Sequence, residues 1–258
     1  MKTLIVIPAR MSSVRFPNKP MALINGIPMI RRVWEQAKKA NVGSVIVACC
    51  EKEVFNLIES IGGTAIMTNT SIPSGTDRIF AAISGLPEID QLDSIINLQG
   101  DMPIINPLYI IKVNKPLSQG FDIGTLVTNL NLNEEKETNI TKVNVSWIKK
   151  DDLGQALNFY KTSKHILKNI YHHVGVYSFS FKSLKRFVEL KPSSNELNYK
   201  LEQWRAIDAN MSIGVSYAKD VPLSVDTEED LKKVENIIKI NNLSLIHISE
   251  PTRRTPIS

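Results

Sequence analysis

The chain has 258 residues, of which 43% are apolar and 22% charged, and its formal net charge is +5. This composition is typical of a soluble globular protein that buries one large core or two small ones. Basic residues alternate with acidic ones and no apolar run approaches membrane-spanning length, which argues against nucleic-acid and membrane partners and favours a small anionic ligand.

An apolar strand is predicted at residues 3–7, and a long basic loop at residues 8–20 follows it directly. Arg10, Arg15 and Lys19 can direct positive charge at a polyphosphate, while three prolines restrict the backbone of the loop. The loop is neither a Walker A loop nor a G-x-G-x-x-G turn. We interpret it as a phosphate cradle, with an ordinary basic surface loop as the alternative. The early strand does not have the pattern of a signal peptide.

Strands and helices alternate along the first part of the chain. Apolar runs predict strands, and apolar residues with helical spacing predict amphipathic helices between them. This order indicates an α/β fold with a Rossmann-like, doubly wound, mostly parallel sheet in a single domain of residues 1–240, and a mixed or antiparallel extension at residues 129–177. The predicted strands are 44–49, 64–67, 93–98, 123–127, 143–148 and 155–160, and the predicted helices are 52–60 and 107–117.

The only cysteines, Cys49 and Cys50, are adjacent at the end of a predicted strand. Neighbouring cysteines make a poor disulfide and a poor metal site, so we expect a reducing, cytoplasmic setting. We interpret both thiols as small apolar groups that fill space.

A helix is predicted to begin at Ser74-Gly75-Thr76-Asp77-Arg78. Free N–H groups at a helix start, with a glycine that permits close approach, suit an anion or the edge of a base. A plain helix cap is the alternative.

Two aspartates are candidate metal ligands. Asp101 follows a predicted strand through a glycine, at the carboxyl end where open α/β sheets bind ligands, and its carboxylate suits Mg2+. Asp226 is predicted to end another strand, just before Thr227, a helix N-cap with Asp230 as its capping-box partner. Local roles in a turn or a cap are the alternatives. Together with the basic loop, the two aspartates describe a metal-assisted nucleotide site.

Two later segments carry polar side chains at intervals. His173-Val174-Gly175-Val176-Tyr177 is predicted to be a strand, and Leu201-Glu202-Gln203-Trp204-Arg205 is predicted to lie on a long helix that starts near Ser194. Taken alone, the polar residues of that helix fit a solvated surface.

In chain order, six motifs resemble the CMP-Kdo synthetase family, the 3-deoxy-manno-octulosonate cytidylyltransferases. The similarity runs from residue 2 to about 239, and six motifs at compatible spacing are far more specific than any one of them. The motifs are Pro8-Ala9-Arg10 through Lys19-Pro20, Ser74 to Arg78, Gln99-Gly100-Asp101, His173 to Tyr177, Leu201-Glu202-Gln203 and Val225 to Leu231.

The resemblance implies a fold of the nucleotide-diphospho-sugar transferase type and an enzyme that transfers CMP from CTP to the 2-hydroxyl of 3-deoxy-D-manno-octulosonate (Kdo), releasing pyrophosphate, for lipopolysaccharide biosynthesis. It also implies Mg2+ as cofactor and a homodimer. An in-line attack on a charged phosphorus needs cations and alignment, and no covalent nucleophile is apparent. The implied residues are Lys19, Asp101 and Asp226 for catalysis, with both aspartates holding Mg2+; Arg10, Arg15, Lys19, Ser74, Gly75, Thr76 and Arg78 for the nucleotide; and Gln99, Lys161, His173, Tyr177, Glu202 and Gln203 for the sugar.

The sequence departs from the family pattern at several positions. Lys161 stands where an arginine is expected to meet the sugar-acid carboxylate, which keeps the charge but loses the bidentate fork. The other departures are Asn18 for glycine, Cys49-Cys50 for Thr-Asp, Met102 for glutamate and Ser180 for arginine. Two alternatives remain: a cytidylyltransferase for another acidic sugar, such as a sialic acid, and a nucleotide-binding relative without turnover. The His173 strand and the 201–203 motif argue against the first.

Residues 241–258 form a tail that we expect to be non-native or disordered, with no helix or strand that would finish the fold. Leu243 to Arg254 resembles the translation of a transposon-type sequencing adaptor. We therefore expect the native end to be missing.

Overall fold

The predicted alternation of strands and helices is present, and nine of the described strands form one sheet. The structure, a computed structural model, describes residues 1–12, 16–162 and 169–249, without the side chains of residues 132 and 241–249. The strands are β1 Thr3–Pro8, β2 Leu23–Ile24, β3 Ile27–Pro28, β4 Gly43–Cys49, β5 Thr64–Met67, β6 Ser94–Asn97, β7 Ile123–Asn129, β8 Lys142–Lys149, β9 Leu153–Tyr160, β10 Ile170–Phe179 and β11 Ile213–Tyr217. The helices are α1 Met29–Ala40, α2 Lys52–Ser60, α3 Gly75–Ile83, α4 Pro107–Lys112, α5 Phe181–Glu189, α6 Ser194–Tyr199, α7 Gln203–Asp208 and α8 Glu228–Ser249.

The sheet has a parallel half and a mixed half, which confirms the predicted fold class. Its order is β5-β4-β1-β6-β10-β7-β11-β9-β8, and the first four strands in this order are parallel. Strand β10 is antiparallel to both β6 and β7, β11 is parallel to β7, and β9 and β8 are antiparallel. The first residues of β10 also pair with β8, so the mixed half curls back on itself.

Helices cover both faces of the sheet because successive side chains of a strand point to opposite sides. On β1, Ile5 and Ile7 pack in a cluster with residues of α1, α2 and α4, whereas Leu4 and Val6 pack in a second cluster with residues of α3, α5 and α7. A third cluster joins Val234 of α8 to the β2–β3 hairpin. None of the described helices is both long and apolar enough to cross a membrane.

Three predicted elements differ from the structure. The long helix from Ser194 is two short helices, because Lys200 adopts a left-handed conformation (φ 54°) that ends α6, and the chain then turns to bury Leu201. The helix predicted at 107–117 ends at Lys112, ahead of Pro116, which cannot continue it.

The third difference concerns Asp226, which does not end a strand. The segment before it is held by a long-range backbone contact, in which Val225 N–H donates to the Asp101 carbonyl at 2.8 Å. The predicted cap does form, since Asp230 N–H donates to Thr227 Oγ1 at 3.2 Å and Thr227 N–H donates to Asp230 Oδ2 at 3.1 Å.

The beginning of the tail is helical, contrary to expectation. Helix α8 continues through the first nine residues of the 241–258 segment and reaches Ser249. In this segment Leu243 and Ile246, and Leu245 and Ile248, are three positions apart, a spacing that a helix already nucleated and capped at Thr227 can continue. The expected non-native origin of the tail stays a prediction.

Candidate active site

A cleft of about 400 Å3 opens at the carboxyl ends of β1 and β6, beside the start of α3. This edge is where an open α/β sheet presents its loops to a ligand. The sequence-predicted residues that line the cleft are Arg10, Lys19, Ser74, Gly75, Arg78, Gln99, Asp101 and Asp226. Arg15 lies outside the described residues.

Lys19 joins the two candidate metal ligands in the cleft. Its Nζ donates to Asp101 Oδ2 at 2.9 Å and to Asp226 Oδ1 at 3.2 Å. Asp101 and Asp226 are 125 positions apart in the chain, and the Val225–Asp101 backbone bond brings them together. Because both carboxylates contact one ammonium group, both face the same point in the cleft.

The donor set fits Mg2+, for which two carboxylates are suitable hard ligands, with substrate phosphates and water completing the shell. The Lys19 ammonium already demonstrates that the two carboxylates converge on one positive charge. No group of three or more His, Cys, Asp or Glu side chains with metal-binding geometry occurs among the described residues.

Two glycines bring the backbone segments of the cleft into close contact. A Cβ added at Gly100 would lie 2.9 Å from the Pro8 carbonyl oxygen, too near for any side chain without a shift. A Cβ at Gly75 would lie 3.3 Å from Pro8 Cγ. The loop after β6 and the start of α3 therefore pack directly on the end of β1.

The start of α3 is capped by Ser74, whose Oγ accepts the Asp77 N–H at 3.1 Å. The remaining N–H groups of this first turn and the positive end of the helix dipole favour an anion in the cleft. Arg10 donates to the Pro73 carbonyl at 3.3 Å and is otherwise exposed, so its guanidinium stands at the entrance.

Arg78 supports the wall of the cleft from behind. Its guanidinium is 1% exposed and donates to Thr68 Oγ1 at 2.5 Å and to the carbonyls of Asn69 and Ile72 at 3.3 and 3.4 Å. These oxygens are neutral, so the positive charge is not cancelled by them and adds to the field of the cleft.

The predicted sugar-binding residues Tyr177, Glu202 and Gln203 gather at a second, small cavity that Thr76 also lines. Glu202 Oε2 accepts the Thr76 hydroxyl at 3.0 Å, and Gln203 Nε2 donates to the Tyr177 hydroxyl. Burial raises the pKa of Glu202 and of Tyr177. The Thr76 side chain is thus directed toward the predicted sugar end rather than toward the nucleotide side to which the sequence assigned it.

His173 lies next to this cavity and is neutral. Its Nε2 lies 3.0 Å from Thr125 Oγ1, and its ring centroid is 5.5 Å from that of Tyr177. Burial lowers the pKa of His173 to about 3. The imidazole therefore positions its neighbours and does not supply charge at neutral pH.

A buried ion pair fixes the helix that carries Glu202 and Gln203. Arg205 donates from Nε to Glu196 Oε2 at 2.8 Å and from a terminal nitrogen to Glu196 Oε1 at 2.5 Å. This two-point contact ties α7 to α6 across the turn at Lys200. Sequence reasoning treated Arg205 as helix surface, and the structure shows it buried.

Lys161, like His173, is a predicted sugar-binding residue that lines neither cavity. Its carbonyl accepts the Nζ of buried Lys142 at 2.7 Å, which anchors the backbone just after β9. Among the other departures, Asn18 adopts a left-handed conformation (φ 57°), Ser180 caps α5, and Met102 and Cys49 are buried in the core. Burial raises the pKa of Cys49 to about 11, in keeping with a space-filling role.

Sequence reasoning assigned no role to Asn97, which the structure places between the two cavities. It is fully buried at the end of β6 and bonded to Gln99 and Thr76. The available signal was a polar residue at the end of a buried strand, directly before a cleft loop.

The fold and the cleft define a nucleotidyltransferase, and a family model gives the class. A model described as cytidylyltransferase matches residues 4–213. The chain belongs to the cytidylyltransferase family.

Relatives within this family are 3-deoxy-manno-octulosonate cytidylyltransferases. The chain is 41% identical over 242 residues to that of Paramagnetospirillum magneticum, covering 92% of this chain and 97% of the relative. It is also 41% identical over 236 residues to that of Brucella suis, covering 90% and 94%.

Solved structures agree in fold. The structure of CMP:2-keto-3-deoxy-manno-octonic acid synthetase complexed with CTP matches with a TM-score of 0.84 and 31% identity, covering 93% of this chain and 100% of that one. A nucleotidyl transferase from Methanothermobacter thermautotroptrophicus matches with a TM-score of 0.61 at 13% identity, covering 93% and 99%, which shows similarity of fold alone.

Proposed function

We propose that this protein is a 3-deoxy-manno-octulosonate cytidylyltransferase that transfers CMP from CTP to the 2-hydroxyl of Kdo and releases pyrophosphate. The observation that carries the proposal is the bridge of Lys19 between Asp101 and Asp226 at the floor of a basic cleft. The 41% identity to enzymes of this name over about nine-tenths of the chain supports the choice of substrates.

The nucleotide half of the reaction depends on positive charge around the phosphates. Arg10 at the entrance, Lys19 on the floor and the N-terminus of α3 surround the space in which a triphosphate would lie. Negative charge accumulates on the phosphate oxygens as the acceptor oxygen attacks and pyrophosphate leaves, so groups that already face this space lower the barrier without rearranging.

Mg2+ is the proposed cofactor, and Asp101 and Asp226 would hold it. When bound, it would neutralise phosphate charge and polarise the phosphoryl oxygens. Lys19 would then be released from at least one carboxylate and be available to the phosphates.

The acceptor half of the reaction depends on hydrogen bonds. Glu202, Gln203 and Tyr177 present polar groups at the inner cavity, and neutral His173 packs against Tyr177. A polyhydroxylated acid fits this set, because carboxylate and amide oxygens accept hydroxyl protons while amide and phenol groups donate. The cavity itself encloses only about 20 Å3, room for about one water molecule, so the sugar would lie against these side chains from the cleft side, with its hydroxyl facing the α-phosphate.

The pathway, the cellular compartment and the oligomeric state are part of the same proposal. We place the reaction in lipopolysaccharide biosynthesis in the cytoplasm and expect the active form to be a homodimer. The support is the resemblance to the family, together with two thiols that form no disulfide.

The direct test measures pyrophosphate released from CTP in the presence of Mg2+ and one of three additions: Kdo, a sialic acid or no sugar. We expect rapid release with Kdo and background release in the other two reactions. Equal release with the sialic acid would identify a different acceptor, and no release with any sugar, despite CTP binding by calorimetry, would identify a relative without turnover.

A further inference from the structure

A chain of hydrogen bonds runs through the protein interior from the nucleotide cleft to the acceptor cavity. Gln99 Nε2 donates to Asn97 Oδ1 at 3.0 Å, Asn97 Nδ2 donates to Thr76 Oγ1 at 3.3 Å, and Thr76 donates to Glu202 Oε2 at 3.0 Å. Gln99 lines the cleft, Glu202 lines the inner cavity, and Asn97 and Thr76 between them are buried. We call these four residues the relay.

The direction of every bond in the relay follows from its last member. When Glu202 is ionised, its carboxylate only accepts, so Thr76 uses its single proton on Glu202. The Thr76 oxygen must then accept, which requires Asn97 to present its NH2 group to Thr76 and its carbonyl to Gln99. Gln99 in turn must present its NH2 group to Asn97, and this logic fixes both amide orientations.

This order of bonds leaves the side-chain carbonyl of Gln99 outside the relay. With its amide nitrogen committed to Asn97, Gln99 has Oε1 on the side of Gly75, where a Cβ would be 3.7 Å away. An acceptor at this place, between the phosphate end and the sugar end, selects a hydroxyl or another donor on the bound substrate.

We propose that Asn97 is a positioning residue that sets acceptor specificity: it holds the Gln99 carbonyl toward a hydroxyl of the acid sugar and couples that orientation to Glu202. The inference rests on the proposed function, since it assigns the hydroxyl to the acceptor substrate. It also explains a fully buried asparagine at the end of a short strand without assigning it any contact with the reacting atoms.

The test uses two substitutions at Asn97. Asn97→Ala removes both bonds, so the Gln99 amide is free to turn. Asn97→Asp has nearly the same shape but, when ionised, cannot donate to Thr76. When protonated, its O–H replaces the amide donor, and burial beside Glu202 raises the pH at which that happens. The other charged groups acting on Glu202 are Arg205 and Asp77, which both variants leave in place.

A matched control is available at Asn114, another buried asparagine beside β6. Its Oδ1 accepts the Ser94 hydroxyl at 2.6 Å and its Nδ2 donates to Thr3 Oγ1 at 3.4 Å, at the opposite end of the strand from the cleft. Asn114→Asp introduces the same change in the same kind of environment without touching the relay.

We expect Asn97→Ala to raise KM for Kdo by about tenfold at every pH from 6 to 9, the effect of one lost hydrogen bond to substrate. Asn97→Asp keeps an acceptor for the Gln99 amide in both charge states, so its rise should be smaller: about threefold at pH 8, where the donor to Thr76 is lost, and within about twofold of wild type near pH 6, where the acid form restores that donor. The dissociation constant for CTP, measured by calorimetry, should be unchanged in both variants, and Asn114→Asp should leave both parameters unchanged.

An unchanged KM for Kdo in both Asn97 variants, or an equal rise in Asn114→Asp, would overturn the relay. If the Asn97 variants do not fold, Thr76→Val cuts the next bond with little change of shape and must raise KM for Kdo by itself. A wild-type protein that releases no pyrophosphate with Kdo would refute the proposed function instead, so the two failures are distinguishable.

Discussion

Replacing either aspartate of the Lys19 bridge by asparagine should abolish most turnover while leaving the protein folded. Asp101→Asn and Asp226→Asn each remove one negative charge and keep the shape of the side chain. Each variant retains one carboxylate for Lys19, because Nζ contacts both aspartates within 3.2 Å. The two variants therefore test the metal assignment with little disturbance of the cleft.

The cost in stability should be small. A hydrogen bond between charged groups contributes about 1.5–3 kcal/mol when buried, but these side chains are 16%, 25% and 38% exposed, which lowers the value toward about 1 kcal/mol or less. Removing one carboxylate also relieves its repulsion with the other. We expect Tm to fall by no more than about 3 °C in a chain of this size.

The cost in catalysis should be much larger. Losing one of two protein ligands weakens Mg2+ binding and removes charge stabilisation at the phosphates, for which a loss of about 3–4 kcal/mol, or about 10²- to 10³-fold in rate, is typical. Mg2+-dependent pyrophosphate release and calorimetric titration with Mg2+ should both decline, because the same ligand is missing in each measurement.

Asp152 provides the matched control, since it also accepts from lysines, Lys115 and Lys149, but lies away from the cleft. Asp152→Asn should retain the wild-type rate and Mg2+ affinity. A near wild-type rate at saturating Mg2+ for Asp101→Asn or Asp226→Asn would refute the metal assignment of that residue, and a comparable loss in Asp152→Asn would refute the explanation by ligand charge.

Three further outcomes are expected. Lys161→Arg should lower KM for Kdo several-fold and Lys161→Ala should raise it. KM for CTP should stay constant in both variants, because the anchored Lys161 carbonyl keeps the backbone in place. Equal KM for Kdo in all three proteins would show that Lys161 does not touch the sugar. A chain truncated after Ile240 should match the full chain in Tm and activity, because Ile238 still packs on the core while Ile240 is exposed. A large drop in Tm or activity would show that the tail is a structural element. The pKa of His173 is lowered to about 3, so the unfolded chain takes up this proton near pH 6.5 and the folded chain does not. As pH decreases from about 6.5 toward 3, this histidine should lower stability by up to about 1.4 kcal/mol per unit. Denaturant melts of His173→Gln should therefore show a shallower slope than wild type, and an identical slope would contradict the assignment.

The parallel half of the sheet was predictable because its signals are local. Strand β5 and helix α2 have the predicted bounds, since Gly62 and Gly63 separate an amphipathic run from an apolar one. The left-handed Lys200 was not predictable, because neither glycine nor proline marks that turn.

The site was predictable only as separate parts. Asp101 and Asp226 could each be proposed from its motif, but the contact between them depends on the Val225–Asp101 backbone bond. The role of Asn97 depends on Glu202, more than a hundred positions away, and on the direction of three hydrogen bonds. Such information is held in the packing of the chain and not in the spacing of its residues.

Strand β10 links the two halves of the sheet. Its first residues pair with β8 and its last with β6, and the register shifts between Val174 and Tyr177, where the strand passes from the curled half of the sheet to the parallel half. In the proposed function, the loops after β1 and β6 hold the nucleotide, whereas Tyr177 of β10 and Gln203 of α7 contact the sugar. Substitutions in β10 and α7 would therefore reshape the proposed acceptor cavity while β1 and β6 keep their register, so the choice of sugar could change with the nucleotide cleft preserved.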